Sequence, residues 1–305
     1  MFQILGPLRA EGRHGGQVDL GGTRARLVLA ALLLEPDRVV SVDRLVEAVW
    51  DERPPASART QIAIAVSGLR RAFRDAGCAH QVIETVRPGY RIPSHAGSLD
   101  ARTAEEQVVR ARRAAKVGHM REAAELFHGV LALWHGPVLA GLDRTLIAAG
   151  ALRWEELWLT VTEEAAEVDL ALGRHHELIG ALIEPVAAHP FRERMRALLM
   201  TALVRAGRQG EAIGAYRDGR RILAEELGVE PGHELRELYE AILRDDPAMY
   251  VRAVSPTPPK PATSTQRSSP GSLRSRTCTG AVPGSRRPYR RRGSGGPRRP
   301  GCPGC

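Results

Sequence analysis

A helix predicted over about residues 56–76 carries small polar side chains and guanidinium groups on one face. At about 100° per residue, the side chains sharing this face are Thr60, Ala63, Ile64, Ser67, Arg71 and Arg74, with Arg59 and Arg70 on its flank. Small residues let a helix approach a groove closely, and guanidinium groups bind phosphates or the paired acceptors of guanine. We therefore predict that Thr60, Ser67 and Arg71 face the base edges of duplex DNA. The phosphate contacts predicted from this helix are Arg59, Arg70 and Arg74.

The opposite face of this helix is apolar. Four side chains lie within about 40° of one another, as a core-facing stripe requires: Ile62, Val66, Leu69 and Phe73. The helix is therefore predicted to rest on a domain with its polar side free. A second interpretation stays open, in which the arginines form an ordinary solvated face of a small α+β domain.

Two short apolar runs follow the helix, VIETV at residues 82–86 and YRI at residues 90–92. The segment RPG joins them, which indicates a β-hairpin with a basic tip. We expect Arg87 and Arg91 to contact phosphates. For Tyr90 two placements stay open: it lies on the DNA-binding surface, or its ring packs in the core under the hairpin and only its hydroxyl reaches a phosphate. Gly89 is expected at position i+2 of a type II turn, where φ is positive.

The elements before that helix complete a recognisable pattern. Short apolar stretches in the first 20 residues indicate a small antiparallel sheet. Thr23 is predicted to cap a helix that stops near Pro36, and Ser41 or Asp43 to cap a second helix. Three helices and a terminal hairpin make a winged helix-turn-helix over residues 1–95, in which the third helix enters the major groove.

Residues 98–247 are almost wholly helical in pattern. Three similar phrases begin at Gly118, Gly173 and Gly207, and the last two start 34 residues apart, the period of tetratricopeptide helix pairs. The first interval, 55 residues, does not fit that period. Stacked helix pairs would expose a concave surface suited to binding other chains. The alternative is a plain helical bundle that only holds the protein dimeric.

The net charge of +9 is distributed unevenly along the chain. Residues 252–305 carry a net +12, with 10 Pro and 8 Gly, and are predicted to form a disordered tail. Residues 1–95 carry +3 and residues 96–251 carry −6, which favours a nucleic-acid module followed by one that binds no polyanion. Cys78 is the one cysteine before the tail, and no apolar run reaches the length of a membrane span. We therefore expect a cytoplasmic protein without membrane attachment.

The sequence offers little for catalysis. It has no phosphate-binding glycine loop with its lysine, no Gly-x-Ser-x-Gly turn, no dinucleotide fingerprint and no zinc-helix motif. We therefore predict that the protein is not an enzyme and needs neither a metal nor a cofactor. A competing hypothesis is a helical-repeat scaffold for protein interactions that lacks specific DNA binding.

Several phrases of the chain resemble the Streptomyces antibiotic regulatory proteins. In the helical part these are LALWHGP at 131–137, LALGRH at 170–175, HPFRER at 189–194 and LAEELGVEPG at 223–232. In the front part they are VSGLRR at 66–71 and RPGYR at 87–91. The likeness spans about residues 2–247 in the family's order, a winged helix-turn-helix and then an all-α, tetratricopeptide-like bacterial transcriptional activator domain. Gly68 and Ala63 depart from it, since family members often have polar residues there.

The resemblance implies a function that composition alone does not show. It implies a pathway-specific transcriptional activator for antibiotic or other secondary-metabolite genes. Its implied partners are double-stranded promoter DNA with direct repeats and RNA polymerase holoenzyme. We also expect a second copy of the chain in a homodimer, at least on DNA.

Overall fold

The structure is a computed structural model that describes residues 1–78 and 81–246. The predicted tail, residues 252–305, lies outside the described residues. The front part contains β1 (Phe2–Gln3), β2 (Arg9–Ala10), α1 (Thr23–Leu34), β3 (Val40–Ser41), α2 (Val42–Trp50), α3 (Ala58–Asp75), β4 (Glu84–Val86) and β5 (Gly89–Arg91). β1 and β2 form an antiparallel pair, and a second antiparallel sheet has the order β3-β5-β4. The predicted winged helix-turn-helix is confirmed.

Helix α1 is the central element of this front part. Eight consecutive side chains, Leu27 to Leu34, are buried, so the helix is covered on every side. Its predicted cap was displaced by one residue, because Gly22 holds the N-cap position and Thr23 is the first helical residue. Helix α2 begins as predicted, since the hydroxyl of Ser41 accepts a hydrogen bond of 3.2 Å from the backbone N–H of Arg44.

The predicted hairpin is formed by β4 and β5, which we call the wing. The expected reason for a glycine at position 89 was wrong. Gly89 opens β5 without a positive φ, and Arg87 and Pro88 are joined by a cis peptide bond. A Cβ atom on Gly89 would overlap the carbonyl oxygen of Val40 in β3. Glycine is therefore required because a third strand, absent from the sequence prediction, lies against it.

The rest of the described chain is helical. It contains α4 (Asp100–Lys116), α5 (Met120–Leu131), α6 (Thr145–Ala171), α7 (His175–Ala188), α8 (Glu193–Arg205), α9 (Gln209–Leu227) and α10 (His233–Leu243). A short 3₁₀ turn at Ser94–Ala96 precedes it. Neighbouring helices pack as hairpins, as expected for a tetratricopeptide-like domain. No helix in the described ranges combines the length and apolar character needed to cross a bilayer.

The three repeated glycine phrases mark the same structural position. Gly118, Gly173 and Gly207 each follow a helix with φ between 74° and 85°. In each case the next backbone N–H bonds to the carbonyl oxygen five residues earlier, as from His119 to Ala114 at 2.9 Å. This is a Schellman motif, and it turns the chain into the second helix of a pair. The 55-residue interval arises because α6 has 27 residues and a long loop precedes it.

The hydrophobic core divides within α6 rather than between the front and helical parts. One cluster runs from Phe2 to Val168 and includes side chains of α1, α2, α4 and α5. A second cluster begins with Leu159 and continues through α7 to α10. We propose that the chain divides into two domains at residues 95–98, and buried side chains from both sides of this boundary belong to one core.

Asp100, at the start of α4, joins these two parts of the chain through hydrogen bonds. Its buried carboxylate accepts bonds of 2.9–3.0 Å from the backbone N–H groups of Ile4 and Leu5, which follow β1. Burial raises the pKa of the Asp100 carboxyl, and the three backbone N–H groups that donate to it oppose this rise. The first strand is thereby attached to the first helix of the helical part.

Candidate nucleic-acid interface

The buried face of α3 is the one that the sequence predicts. Its buried side chains are Ala58, Ile62, Val66, Leu69 and Phe73. The ring of Phe73 packs edge-on against Phe2, with ring centroids 5.7 Å apart. α3 packs against α1 and α2, so its rotation about its own axis is fixed by side chains from the core.

The opposite face of α3 is open to solvent. Thr60, Ser67, Arg71 and Arg74 are all exposed. The side chain of Arg71 is 80% exposed and lies 3.6 Å from the carboxylate of Asp75, one turn later. The helical part, which carries the excess of acidic residues, does not cover the side chains of Arg71 and Arg74, so both are accessible to a polyanion.

Arg59, predicted to contact phosphate, forms an ion pair with Asp43 in the first turn of α2. Both side chains are at least 70% exposed. The pair joins the first turns of α2 and α3, at the point where a helix-turn-helix approaches the DNA backbone. A phosphate would have to replace this carboxylate for the predicted contact to form.

Arg70 has partners within the protein. Its Nε and Nη2 atoms donate to the carbonyl oxygen of Ile83 at 2.9 and 2.7 Å, and Nη2 also donates to the hydroxyl of Thr85 at 2.8 Å. The guanidinium carbon lies 5.8 Å from the centre of the Tyr90 ring. The planar fork of Arg70 therefore fastens α3 to the wing. The sequence prediction had assigned it to phosphate.

The wing places its predicted side chains differently from one another. Arg87 is exposed at the tip. Arg91 is half-buried and donates through Nε, at 3.1 Å, and through Nη2 to the carboxylate of Glu84 on the neighbouring strand. Tyr90 is partly buried and packs against the core, which is one of the two placements that the sequence left open. Arg87 is thus more accessible to DNA than Arg91.

The sequence prediction gave no role on this surface to three of its residues. Asp43 and Glu84 pair with arginines from other elements, and Ile64 lies exposed in the middle of the open face of α3. Glu84 could have been found, because it is the cross-strand neighbour of Arg91 in the hairpin register. Ile64 was placed on the open face, but its apolar side chain was given no role.

Carboxylates accompany three of the nine predicted contacts. Arg59, Arg71 and Arg91 each hold one. The pairs of Arg59 and Arg71 lie between exposed groups and are worth only about 0–1 kcal/mol each, whereas the half-buried pair of Arg91 with Glu84 is screened less by solvent. A phosphate of a duplex can therefore displace the carboxylates at Arg59 and Arg71 at little cost in free energy, while the acids oppose contacts that do not offer a well-placed phosphate.

Two family models match the chain in the order that the resemblance implies. Residues 15–92 match the family model described as "Transcriptional regulatory protein, C terminal". Residues 99–243 match the model described as "Bacterial transcriptional activator domain". The first match covers α1 to the wing, and the second covers α4 to α10.

Similar proteins carry names of regulators. The regulatory protein AfsR of Streptomyces griseus is 38% identical to this chain over 84% of the chain. The matched region is only 26% of the length of AfsR, so this chain spans about a quarter of that relative. The regulatory protein DnrI of Streptomyces peucetius is 35% identical over 81% of this chain and 93% of its own length. The structure of Mycobacterium tuberculosis EmbR in complex with a low-affinity phosphopeptide is similar to this one, with a TM-score of 0.74 and 34% sequence identity. The match includes 83% of this chain and 68% of the EmbR chain. The chain therefore belongs to the Streptomyces antibiotic regulatory protein family of transcriptional regulators.

Proposed function

We propose that this protein is a sequence-specific DNA-binding transcriptional activator for antibiotic or other secondary-metabolite genes. The observation that carries the proposal is the open face of α3. It presents Thr60, Ser67 and Arg71 to solvent while the other face is held in the core. Arg87 is exposed at the tip of the wing. This is the arrangement with which a winged helix-turn-helix enters a major groove and follows the adjacent backbone.

Each side chain then has a role set by its surroundings. Arg71 is the best placed for guanine, because its paired N–H groups match the O6 and N7 acceptors. Arg74 and Arg87 contact phosphates, which needs only charge and exposure. Arg59 and Arg91 contact phosphates once these displace Asp43 and Glu84. Arg70 orients the wing. The hydroxyl of Tyr90 reaches a phosphate at the edge of the wing.

The helical part supplies the protein contacts in this proposal. Its stacked helix pairs offer extended surfaces of the kind that bind other chains. Here they engage RNA polymerase holoenzyme and a second copy of the protein on direct repeats of a promoter, in the cytoplasm and without catalysis. The names of AfsR and DnrI, both regulatory proteins, support this proposal.

The proposal is tested by selecting duplexes from a random pool with the full chain and measuring affinity by fluorescence anisotropy. We expect Arg71→Ala to reduce the preference for the selected duplex over random DNA by about 1–3 kcal/mol. Arg87→Ala should weaken both duplexes alike and lower the slope of log K against log salt concentration by about one.

The two variants act as controls for each other, since both remove an exposed guanidinium. An unchanged preference in Arg71→Ala would show that this side chain does not read bases. If no sequence is enriched and random DNA binds equally well at moderate salt, the regulator proposal is wrong and the interaction scaffold is favoured.

A further inference from the structure

Ile64 lies on α3 where packing gives no reason for an apolar residue. Its side chain is 65% exposed, whereas Ile62, two positions earlier, is 1% exposed. A β-branched residue also lowers helix propensity relative to alanine or a straight polar side chain. Most of the Ile64 side chain therefore lies outside the core and is available to another molecule.

The neighbours of Ile64 place it in the middle of the surface proposed to face DNA. Thr60, Ser67 and Arg71 lie four residues before it, three after it and seven after it, so all four share one face. Ala63 and Gly68 beside it are also exposed. A Cβ atom on Gly68 would meet nothing within 4 Å. Small neighbours leave the isoleucine projecting beyond the helix surface, where a base edge can reach it.

The major groove offers one apolar group at its floor, the C5-methyl group of thymine. Resting on the function proposed above, we propose that Ile64 is a specificity-determining residue that packs on a thymine methyl in the major groove. Transfer of that methyl group from water to contact with an aliphatic side chain is favourable, and cytosine, adenine and guanine lack an equivalent group at this position.

The helix geometry also places this thymine relative to the base read by Arg71. Seven residues separate the two side chains, which is about 10.5 Å along a helix axis. Base pairs of a duplex are stacked about 3.4 Å apart along its axis, and the groove is inclined to that axis, so a helix lying along the groove spans at most about three steps over this distance. The methyl contact should thus lie within about three base pairs of the guanine.

The test uses the duplex selected with the full chain and replaces its thymines one at a time by deoxyuridine, which removes only the methyl group. For the native protein, one replacement should weaken binding by about fourfold, the effect of one lost methyl contact. Ile64→Ala should bind the unmodified duplex about fourfold more weakly and should be insensitive to that same replacement. Ile64→Val, which keeps a branched aliphatic side chain, should stay sensitive.

Leu152→Ala is the matched control, since Leu152 is exposed to a similar extent, 62%, on α6 in the helical part. It should leave every affinity unchanged. If the native protein and Ile64→Ala respond alike to each deoxyuridine, Ile64 reads no methyl group although specific binding stands. If no duplex is enriched in the selection, the proposed function fails and this inference fails with it.

Discussion

At the scale of single residues, the structure separates arginines that hold the protein together from arginines that are free to bind. Arg70 has its Nε and Nη2 donors on the wing, whereas Arg71, the next residue, is 80% exposed. The difference follows from a 100° turn of the helix between them. Residue type and local charge do not distinguish the two side chains, but their position around α3 does.

Two glycines of the interface give opposite predictions for the same substitution. Gly89→Ala should lower the free energy of unfolding by about 2–4 kcal/mol, because its Cβ atom would overlap the carbonyl oxygen of Val40. Gly68→Ala should raise it by about 0.5–1 kcal/mol, because an exposed position within a helix favours alanine and nothing obstructs the methyl group. Urea unfolding followed by circular dichroism measures both.

Equal effects in these two variants would contradict the contact between β3 and the wing. The result is independent of DNA, so it tests the fold of the wing and not the function proposed for it.

The sequence could predict the faces of α3 but not the partners of its arginines. The helical period of about 3.6 residues places Ile62 and Phe73 on one face of α3 and Ser67 and Arg71 on the other. In the structure Ile62 and Phe73 are buried, as this period predicts. The partners of Arg59 and Arg70 lie 13 or more residues away along the chain, at Asp43 and Ile83. Such pairs depend on how elements pack, which local periodicity does not contain.

At the scale of elements, α3 and the wing act as one unit because Arg70 joins them. The carbonyl oxygen of Ile83 accepts two of its N–H groups, and Ile83 itself is fully buried. A lysine can offer one point charge at this place but not a planar fork of donors. The connection is therefore sensitive to a substitution that keeps the charge.

Arg70→Lys should loosen the wing without altering the open face of α3. We expect the backbone amides of β4 and β5 to lose about 1.5–3 kcal/mol of protection against hydrogen exchange, the value of a hydrogen bond to a charged group. Affinity for DNA should fall while the preference among sequences is kept. Arg74→Lys, at an exposed position of the same helix, should change the exchange of the wing little.

Unaltered exchange in Arg70→Lys would mean that the wing is held by β3 and the core alone. In that case Arg70 would be available to a phosphate, as the sequence first suggested.

The repeated glycine phrases show what a sequence repeat does and does not determine. Gly118, Gly173 and Gly207 each end a helix in the same Schellman motif. A glycine in each phrase is therefore enough to predict a helix end there. The spacing between the phrases could not be predicted in the same way, because it depends on helix length. The 27 residues of α6 pass from one hydrophobic cluster to the other, and no local signal sets that length.

At the scale of the whole described molecule, helix packing and hydrogen bonds connect the front part to the helical part, in addition to the chain between them. Helix α6 packs against α1 and α2, and the carbonyl oxygen of Leu5 accepts a hydrogen bond of 2.8 Å from the backbone of His135. Asp100 adds its bonds to Ile4 and Leu5. A change in either part should therefore reach the other.

Asp100→Ala tests this coupling. It removes the acceptor of buried N–H groups, which should lower the free energy of unfolding by about 2–5 kcal/mol. Because the core is shared, hydrogen exchange followed by mass spectrometry should accelerate in α1 as well as in α4 and α5. The control is Asp19→Ala, which removes an exposed carboxylate that accepts the N–H of Gly21 at 2.9 Å. Water can replace that bond, so its cost should stay below about 1 kcal/mol. Acceleration confined to the first turn of α4 would show instead that the two parts are stabilised separately.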